Sequence, residues 1–288
     1  MKPPYITDSY LKTFIWNALK EDLREGDHTT LACIPKNKQA TAELRIKKDG
    51  IIGGLQLAER IFHEINPELK FISLIQDGAP VSSGQIGFTV TGEAQSILSA
   101  ERLVLNCMQR MSGIATKTHW YKSLISGTHA QLMDTRKTTP LFRLLEKWAV
   151  AIGGGVNHRL GLFDKILLKD NHIDIAGGVS EAILKVKDYL RRNNLSLEIE
   201  VETRSLEEVE SVLQAGGIHT IMLDNMGVSE MKKAVRLIHG KYWTEASGNI
   251  NEKNILDVAE CGVDFISVGA LTHSVESLDL SLKAVINN

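Results

Sequence analysis

The chain has 288 residues, 43% of them hydrophobic and 24% charged, and a net charge of −2. That length supports one large domain or two modest ones with a sizeable core, and the composition is that of a globular chain, neither disordered nor membrane-bound. Bulk charge of this size excludes electrostatic binding of nucleic acid or membrane, so any anion site has to be local.

In chain order, apolar side chains at Tyr10, Leu11, Phe14, Ile15, Ala18 and Leu19 predict a helix over 9–20. Short β-prone runs at 41–46, 71–75 and 87–90, punctuated by Gly-Gly, Asp-Gly and Ser-Gly, predict a sheet with turns, and 55–65 reads as a helix between them. A long amphipathic helix is expected over 96–123, with Ile97, Ala100, Val104, Met108, Met111 and Ala115 on one stripe. It would join two halves of the molecule. Beyond it the pattern becomes strand, loop, helix, repeated six times. Strands are predicted at 130–133, 165–168, 197–201, 220–223, 242–245 and 265–268. Helices are predicted at 141–151, 178–191, 205–215, 229–237, 251–261 and 275–285. Apolar strands alternating with helices imply a parallel sheet covered by helices, either an incomplete barrel or a doubly wound open sheet.

Chemistry concentrates where these strands end. Asp134, Thr135, Arg136 and Lys137 follow the first, and Lys169, Asp170, Asn171 and His172 the second. Glu202 ends the third, Asp224 and Asn225 the fourth, Ser247-Gly248-Asn249 the fifth, and Gly269-Ala270 the sixth. In α/β barrels the active site is assembled from these C-terminal ends. Arg136, Lys137, His158, Arg159 and Lys169 would then meet at one mouth, with Glu202, Asp224 and also Asp134 and Asp170 as the balancing acids. Cations crowded in a cleft repel one another and lose solvation, a state relieved by an anionic ligand; salt bridges to the local acids are the plainer explanation of any one of them. The glycine turns at Gly248 and Gly269 suit a phosphate, with free N–H groups at a helix starting near Asn251. Gly153-Gly154-Gly155 leading into Asn157-His158-Arg159 reads as a ligand loop. Arg102, alone on the long helix beside Glu101, reads as a solvated face. Cys33, Cys107 and Cys261 lie far apart without a CxxC, which predicts reduced thiols in a cytoplasmic protein rather than a disulfide frame or a zinc site. The first residues lack the apolar stretch of a signal peptide, and no run is long enough to span a bilayer.

These residues resemble the signatures of the quinolinate phosphoribosyltransferase family, of the type II phosphoribosyltransferases. The matching motifs are Asp134-Thr-Arg-Lys-Thr-Thr-Pro140, Gly153-Gly-Gly-Val-Asn-His-Arg159, Lys169-Asp-Asn-His172, Glu200-Val-Glu202, Leu223-Asp-Asn225 and Glu245-Ala-Ser-Gly-Asn249. Earlier in the chain, Glu21–Asp27, Ala100-Glu-Arg102 and Gln109–Thr116 match as well, so the resemblance covers nearly the whole sequence in order. It implies an N-terminal α/β open sandwich (1–115, joined by a C-terminal helix over 272–288) followed by an incomplete parallel α/β barrel (116–271). It implies phosphoribosyl transfer from phosphoribosyl pyrophosphate to quinolinate with decarboxylation, in NAD biosynthesis.

By the same resemblance Arg102, Thr135, Arg136, Lys137, His158, Arg159 and Lys169 would hold quinolinate, Arg102 reaching over from the neighbouring subunit of a homodimer or hexamer. Lys137, Lys169, Glu202 and Asp224 would be catalytic. Glu202, Asp224, Ser247, Gly248, Asn249, Val268, Gly269 and Ala270 would bind the phosphoribosyl group. Mg²⁺ would be the cofactor, held by Glu202 and Asp224 directly or through pyrophosphate or water. Two departures stand out: Leu141 occupies a position usually held by glycine, and so does Asn249. Weighed against this reading are a relative with another ring substrate, as in molybdenum-transport-associated homologues, a phosphosugar isomerase or aldolase using Lys169, and a non-catalytic anion-binding protein. The last leaves Glu202 and Asp224 without a purpose.

Overall fold

The computed structural model describes residues 2–285, which form two compact units. The first takes the chain up to His119, then Thr139–Gly154 and the segment from Ser274 onward; the second takes Trp120–Thr138 and Gly155–His273. The chain opens with helix α1 (Asp8–Leu23), capped by the Thr7 hydroxyl, which accepts from the Tyr10 N–H, and burying Leu11, Ile15 and Leu19 on one face. A short helix the sequence did not announce, α2 (His28–Cys33), is nucleated by the Asp27 carboxylate, which accepts from both the N–H and the hydroxyl of Thr30. Strand β1 (Gln39–Ile46) follows, then β2 (Gly50–Ile51), α3 (Leu55–Ile65), β3 (Lys70–Ser73), β4 (Pro80–Val81) and β5 (Ile86–Glu93). Asp77 supplies the cap that α3 lacks, accepting from the Leu55 N–H at 2.8 Å. Helix α4 (Ala94–Leu124) is the long amphipathic one, and all six residues of its predicted stripe are buried.

From there the chain builds β6 (Gln131–Met133), α5 (Arg143–Ile152), β7 (Ile166–Leu168), α6 (Asp170–Ala176), α7 (Val179–Arg192), β8 (Ile199–Thr203), α8 (Leu206–Ala215), β9 (Thr220–Asp224), α9 (Val228–Ile238), β10 (Trp243–Ser247), α10 (Ile255–Ala259), β11 (Phe265–Ser267) and α11 (Ala270–His273). The six strands form one parallel sheet in the order β6-β11-β10-β9-β8-β7. That order is the chain order taken round a circle and broken once, between β6 and β7: an incomplete barrel, not the doubly wound alternative. On the free side of β6, Val156 makes a parallel bridge to Met133. β8 is buried along its whole length, as a strand covered on both faces should be. α5, which the repeat places in the barrel, groups with the first unit, where the Arg110 guanidinium pairs with the fully buried Glu146 at 2.8 Å.

The last element corrects an expectation. Residues 280–285 are not a helix but strand β12 (Leu280–Val285), antiparallel to β1 with Leu282 opposite Leu44 and Leu280 opposite Ile46. Leu278, Leu280 and Leu282 are all buried and recur every second residue, and that period-two alternation prevails over the looser helical spacing. Of the rest of the helix expected over 272–288, residues 272–273 end α11, 274–279 are not helical, and 286–288 lie outside the described residues. The first unit's main sheet is therefore antiparallel, ordered β12-β1-β5-β3.

Candidate active site

At the C-terminal ends of the barrel strands the second unit opens a cleft of about 590 Å³. Thr135, Arg136 and Lys137 enter it directly after β6, and the Val156 bridge brings His158 and Arg159 alongside them. Lys169, which precedes α6, and Asp170, its first residue, line the next sector, followed by Glu202 from β8, Asp224 from β9 and Ser247–Asn249 after β10. Five of the six predicted strand ends thus converge. Arg102 does not: it is exposed on α4 and is not among the lining residues. Nor are Val268, Gly269 and Ala270, although a Cβ on Gly269 would lie 3.0 Å from the Lys137 side chain; Ser267 lines the cleft in their place.

The cleft is electrically polarised. On one side, burial and the neighbouring Arg136 guanidinium pull Arg159 below its ordinary value. The Nε atoms of both arginines are buried without an acceptor. On the other, burial pushes Glu202 up and the Asp224 carboxylate adds to it, against the opposing hydrogen bond from the Asp170 N–H. Arginines crowd one end, and at the other the Lys169 ammonium only partly offsets what burial and Asp224 do to Glu202.

Several sequence assignments change role. Asp134 does not balance charge in the mouth: fully buried, it accepts from the His158 N–H and from Asn157 Nδ2, each at 2.8 Å, and so pins the segment carrying His158. The three glycines before that segment are absent from the cleft; a Cβ on Gly153 would lie 2.5 Å from the Ala115 carbonyl oxygen, so close packing rather than ligand approach demands glycine there. The predicted helix near Asn251 begins only at Ile255, and asparagines hold the turn instead of helical N–H groups. Asn249 Nδ2 donates to Asn225 Oδ1 at 2.9 Å, and Asn225 Nδ2 donates to Asp224 at 2.6 Å. Gly248 has φ +92°, and a Cβ there would strike the Asn225 side chain at 2.3 Å.

Two buried acids had been named only as letters of motifs. Glu200 Oε2 lies 3.1 Å from His158 Nε2 and 3.2 Å from Lys165 Nζ, and Glu245 Oε2 lies 3.6 Å from the same His158 nitrogen. A charged residue in the middle of a strand buried on both faces is the signal that could have singled them out.

The family model described as quinolinate phosphoribosyl transferase, C-terminal domain, matches residues 114–283, and the corresponding N-terminal domain matches 27–112. A protein of Nicotiana tabacum named quinolinate phosphoribosyltransferase [decarboxylating] 1b is 48% identical, over 98% of this chain and 85% of its own. A probable nicotinate-nucleotide pyrophosphorylase [carboxylating] of Synechocystis is 40% identical over 99% and 95%. Among solved structures, the nicotinate-nucleotide pyrophosphorylase of Francisella tularensis superposes with a TM-score of 0.90 at 36% identity, covering 97% of this chain and 98% of that one. NadC of Streptococcus pyogenes superposes at 0.91 with 37% identity, covering 98% and 99%. With both domain models matched in order and full-length relatives on either side, the chain belongs to the quinolinate phosphoribosyltransferase family.

Proposed function

We propose that the protein transfers the phosphoribosyl group of phosphoribosyl pyrophosphate to the ring nitrogen of quinolinate, releasing pyrophosphate and carbon dioxide and leaving nicotinate mononucleotide for NAD synthesis. The single observation that carries this is the polarised cleft: Arg136 and Arg159 crowded together in the same cleft as Glu202, which burial and Asp224 raise in spite of the Lys169 charge. Arg136 and Arg159, with His158, Thr135 and Lys169, take the ring dicarboxylate, for which a planar guanidinium is the better partner than an ammonium. Lys137 and Lys169 lie between the two substrates. Glu202 and Asp224 face the ribose, where the C1′–pyrophosphate bond breaks and positive charge develops on the sugar; each such contact is worth about 3 kcal/mol in the transition state. The ring nitrogen then bonds to C1′. The positive nitrogen so formed stabilises the electron pair that stays on the adjacent ring carbon when its carboxylate departs as carbon dioxide, and a proton from solvent bonds to that carbon to complete the product. The turn at Ser247–Asn249 receives the 5′-phosphate, with the Val268–Ala270 backbone behind it.

Mg²⁺ suits the acidic side, since Glu202 is raised by burial and by Asp224, a state that a cation relieves; the two carboxylates would hold it directly or through pyrophosphate or water. When bound it supplies charge neutralisation of the leaving pyrophosphate. A homodimer is part of the proposal, with Arg102 completing the partner's cleft; exposed Leu162, Phe163 and Ile175 on the second unit supply apolar surface for such an interface. Three cysteines, all unpaired, favour a cytoplasmic setting.

The test is whether carbon dioxide appears only when quinolinate, phosphoribosyl pyrophosphate and Mg²⁺ are all present. Release with nicotinate as the ring substrate in place of quinolinate, or with no ring substrate, would sink the assignment. In the same assay Arg136→Ala is expected to raise the KM for quinolinate by roughly a hundredfold, the loss of a charge-assisted pair, while phosphoribosyl pyrophosphate still binds. Near-normal turnover of this variant at ordinary quinolinate concentrations would remove Arg136 from the site.

A further inference from the structure

Lys137 is exposed and enters the cleft on the loop after β6, so no strand or helix fixes its backbone. Two threonine hydroxyls do. The Thr135 hydroxyl oxygen accepts from the Lys137 N–H at 3.0 Å, a turn closed locally. The Thr272 hydroxyl, 135 residues further along the chain, donates to the Lys137 carbonyl at 2.8 Å. Both backbone polar groups of Lys137 are therefore held, and with them the direction in which its side chain leaves the loop.

Thr272 lies in α11, is fully buried and does not line the cleft, so its work is not direct contact with substrate. Its hydroxyl also approaches the Gly269 carbonyl at 3.2 Å, the usual back-bond of a threonine to the preceding turn. That carbonyl already receives the Thr272 and His273 N–H groups, at 3.1 and 3.2 Å. One hydroxyl carries one hydrogen, and its shorter contact is the one to Lys137. The same segment backs the lysine stem: a Cβ on Gly269 would lie 3.0 Å from Lys137 Cδ, close enough that one of the two would have to shift. Gly269–Thr272 thus meets Lys137 twice, at its carbonyl and along its stem.

We propose that Thr272 is a positioning residue for Lys137: its hydroxyl fixes the lysine's peptide carbonyl, so that the ammonium is presented to the dicarboxylate from one place. The inference rests on the reading of the cleft as the quinolinate site. A lysine has a long, freely rotating stem, and freedom in the backbone beneath it adds to what the arriving anion has to freeze. With the carbonyl released, the anion would meet a wandering charge in place of a placed one. Thr272 therefore acts on quinolinate through Lys137 and not by any contact of its own.

The experiment compares Thr272→Val, close in shape but without the hydroxyl, with Thr272→Ser, which keeps it. Quinolinate Kd is measured by calorimetry for each change, made in the parent and again in a Lys137→Met background, where Arg136 and Arg159 still hold the anion. Thr272→Val is expected to weaken quinolinate binding about fivefold, the size of one ordinary hydrogen bond. Thr272→Ser should stay within about twofold of the parent, the hydroxyl being retained. In the Lys137→Met background the effect of Thr272→Val should shrink to less than about twofold, because a residue that works through the ammonium has nothing to place once the ammonium is gone. Unchanged binding in Thr272→Val overturns the proposal, as does Thr272→Ser being equally impaired. So does a loss of full size in the Lys137→Met background, the mark of a merely structural role or of another group in the loop. Lys137→Met that binds as tightly as the parent overturns it too. If Thr272→Val does not fold, Thr272→Ala takes its place with the same expected results. Parent protein that binds no quinolinate sinks the reading of the cleft and this inference with it, whereas binding by the parent that Thr272→Val does not alter sinks this inference alone.

Discussion

Leu141 and Asn249, at the two positions where the resemblance leads one to expect glycine, both have positive φ, +62° and +51°. Asn249 tolerates this: asparagine is among the few residues that visit the left-handed region readily, and its Nδ2 gains the hydrogen bond to Asn225. Leu141 has no such compensation. It sits third in the turn Thr139–Phe142, closed by the Phe142 N–H to the Thr139 carbonyl at 3.2 Å, with Pro140 second, an arrangement that calls for glycine at the third position. Its side chain is 92% exposed and buries nothing in return. Leu141→Gly should therefore raise stability by about 1 kcal/mol, the left-handed cost less the added chain entropy of glycine. Chemical denaturation checks this; an unchanged or lower midpoint would show that the turn carries no strain. The identity of each residue was plain in the sequence, but the sign of φ belongs to the folded turn.

Strand β12 shows how an element is decided by its partner. Leu280 and Leu282 are buried opposite Ile46 and Leu44, so the last described segment completes a sheet begun some 240 residues earlier. Leu282→Ala should cost about 2–4 kcal/mol, the range for emptying a packed leucine site, read as a lower urea midpoint with unchanged slope. A loss below roughly 0.5 kcal/mol, the level of a surface substitution, would mean that β12 is not integral to the unit. The short helices α2, α6 and α11 went unannounced for a related reason: six, seven and four residues long, they carry too few turns to display a period, and side-chain caps or tertiary contacts hold them.

For the whole molecule the proposed shared site can be tested by complementation. Chains carrying Arg102→Ala are mixed with chains carrying Lys169→Ala under conditions that exchange subunits. A symmetric dimer with sites built from two chains would regain about a quarter of parental activity, since half the dimers are hybrids with one intact site each. No recovery would place Arg102 outside the partner's cleft. The sequence by itself determined the run of βα units, the family, and the polar residues at each strand end, because a buried parallel strand must be apolar and its loop need not be. Only the tertiary structure decided that the C-terminal segment is a strand, that Asp134 anchors the segment carrying His158, and that Glu200 and Glu245 meet beside His158. Those outcomes depend on which distant residues share a few ångströms, and the spacing of letters along one chain does not encode a pairing until the barrel has closed round it.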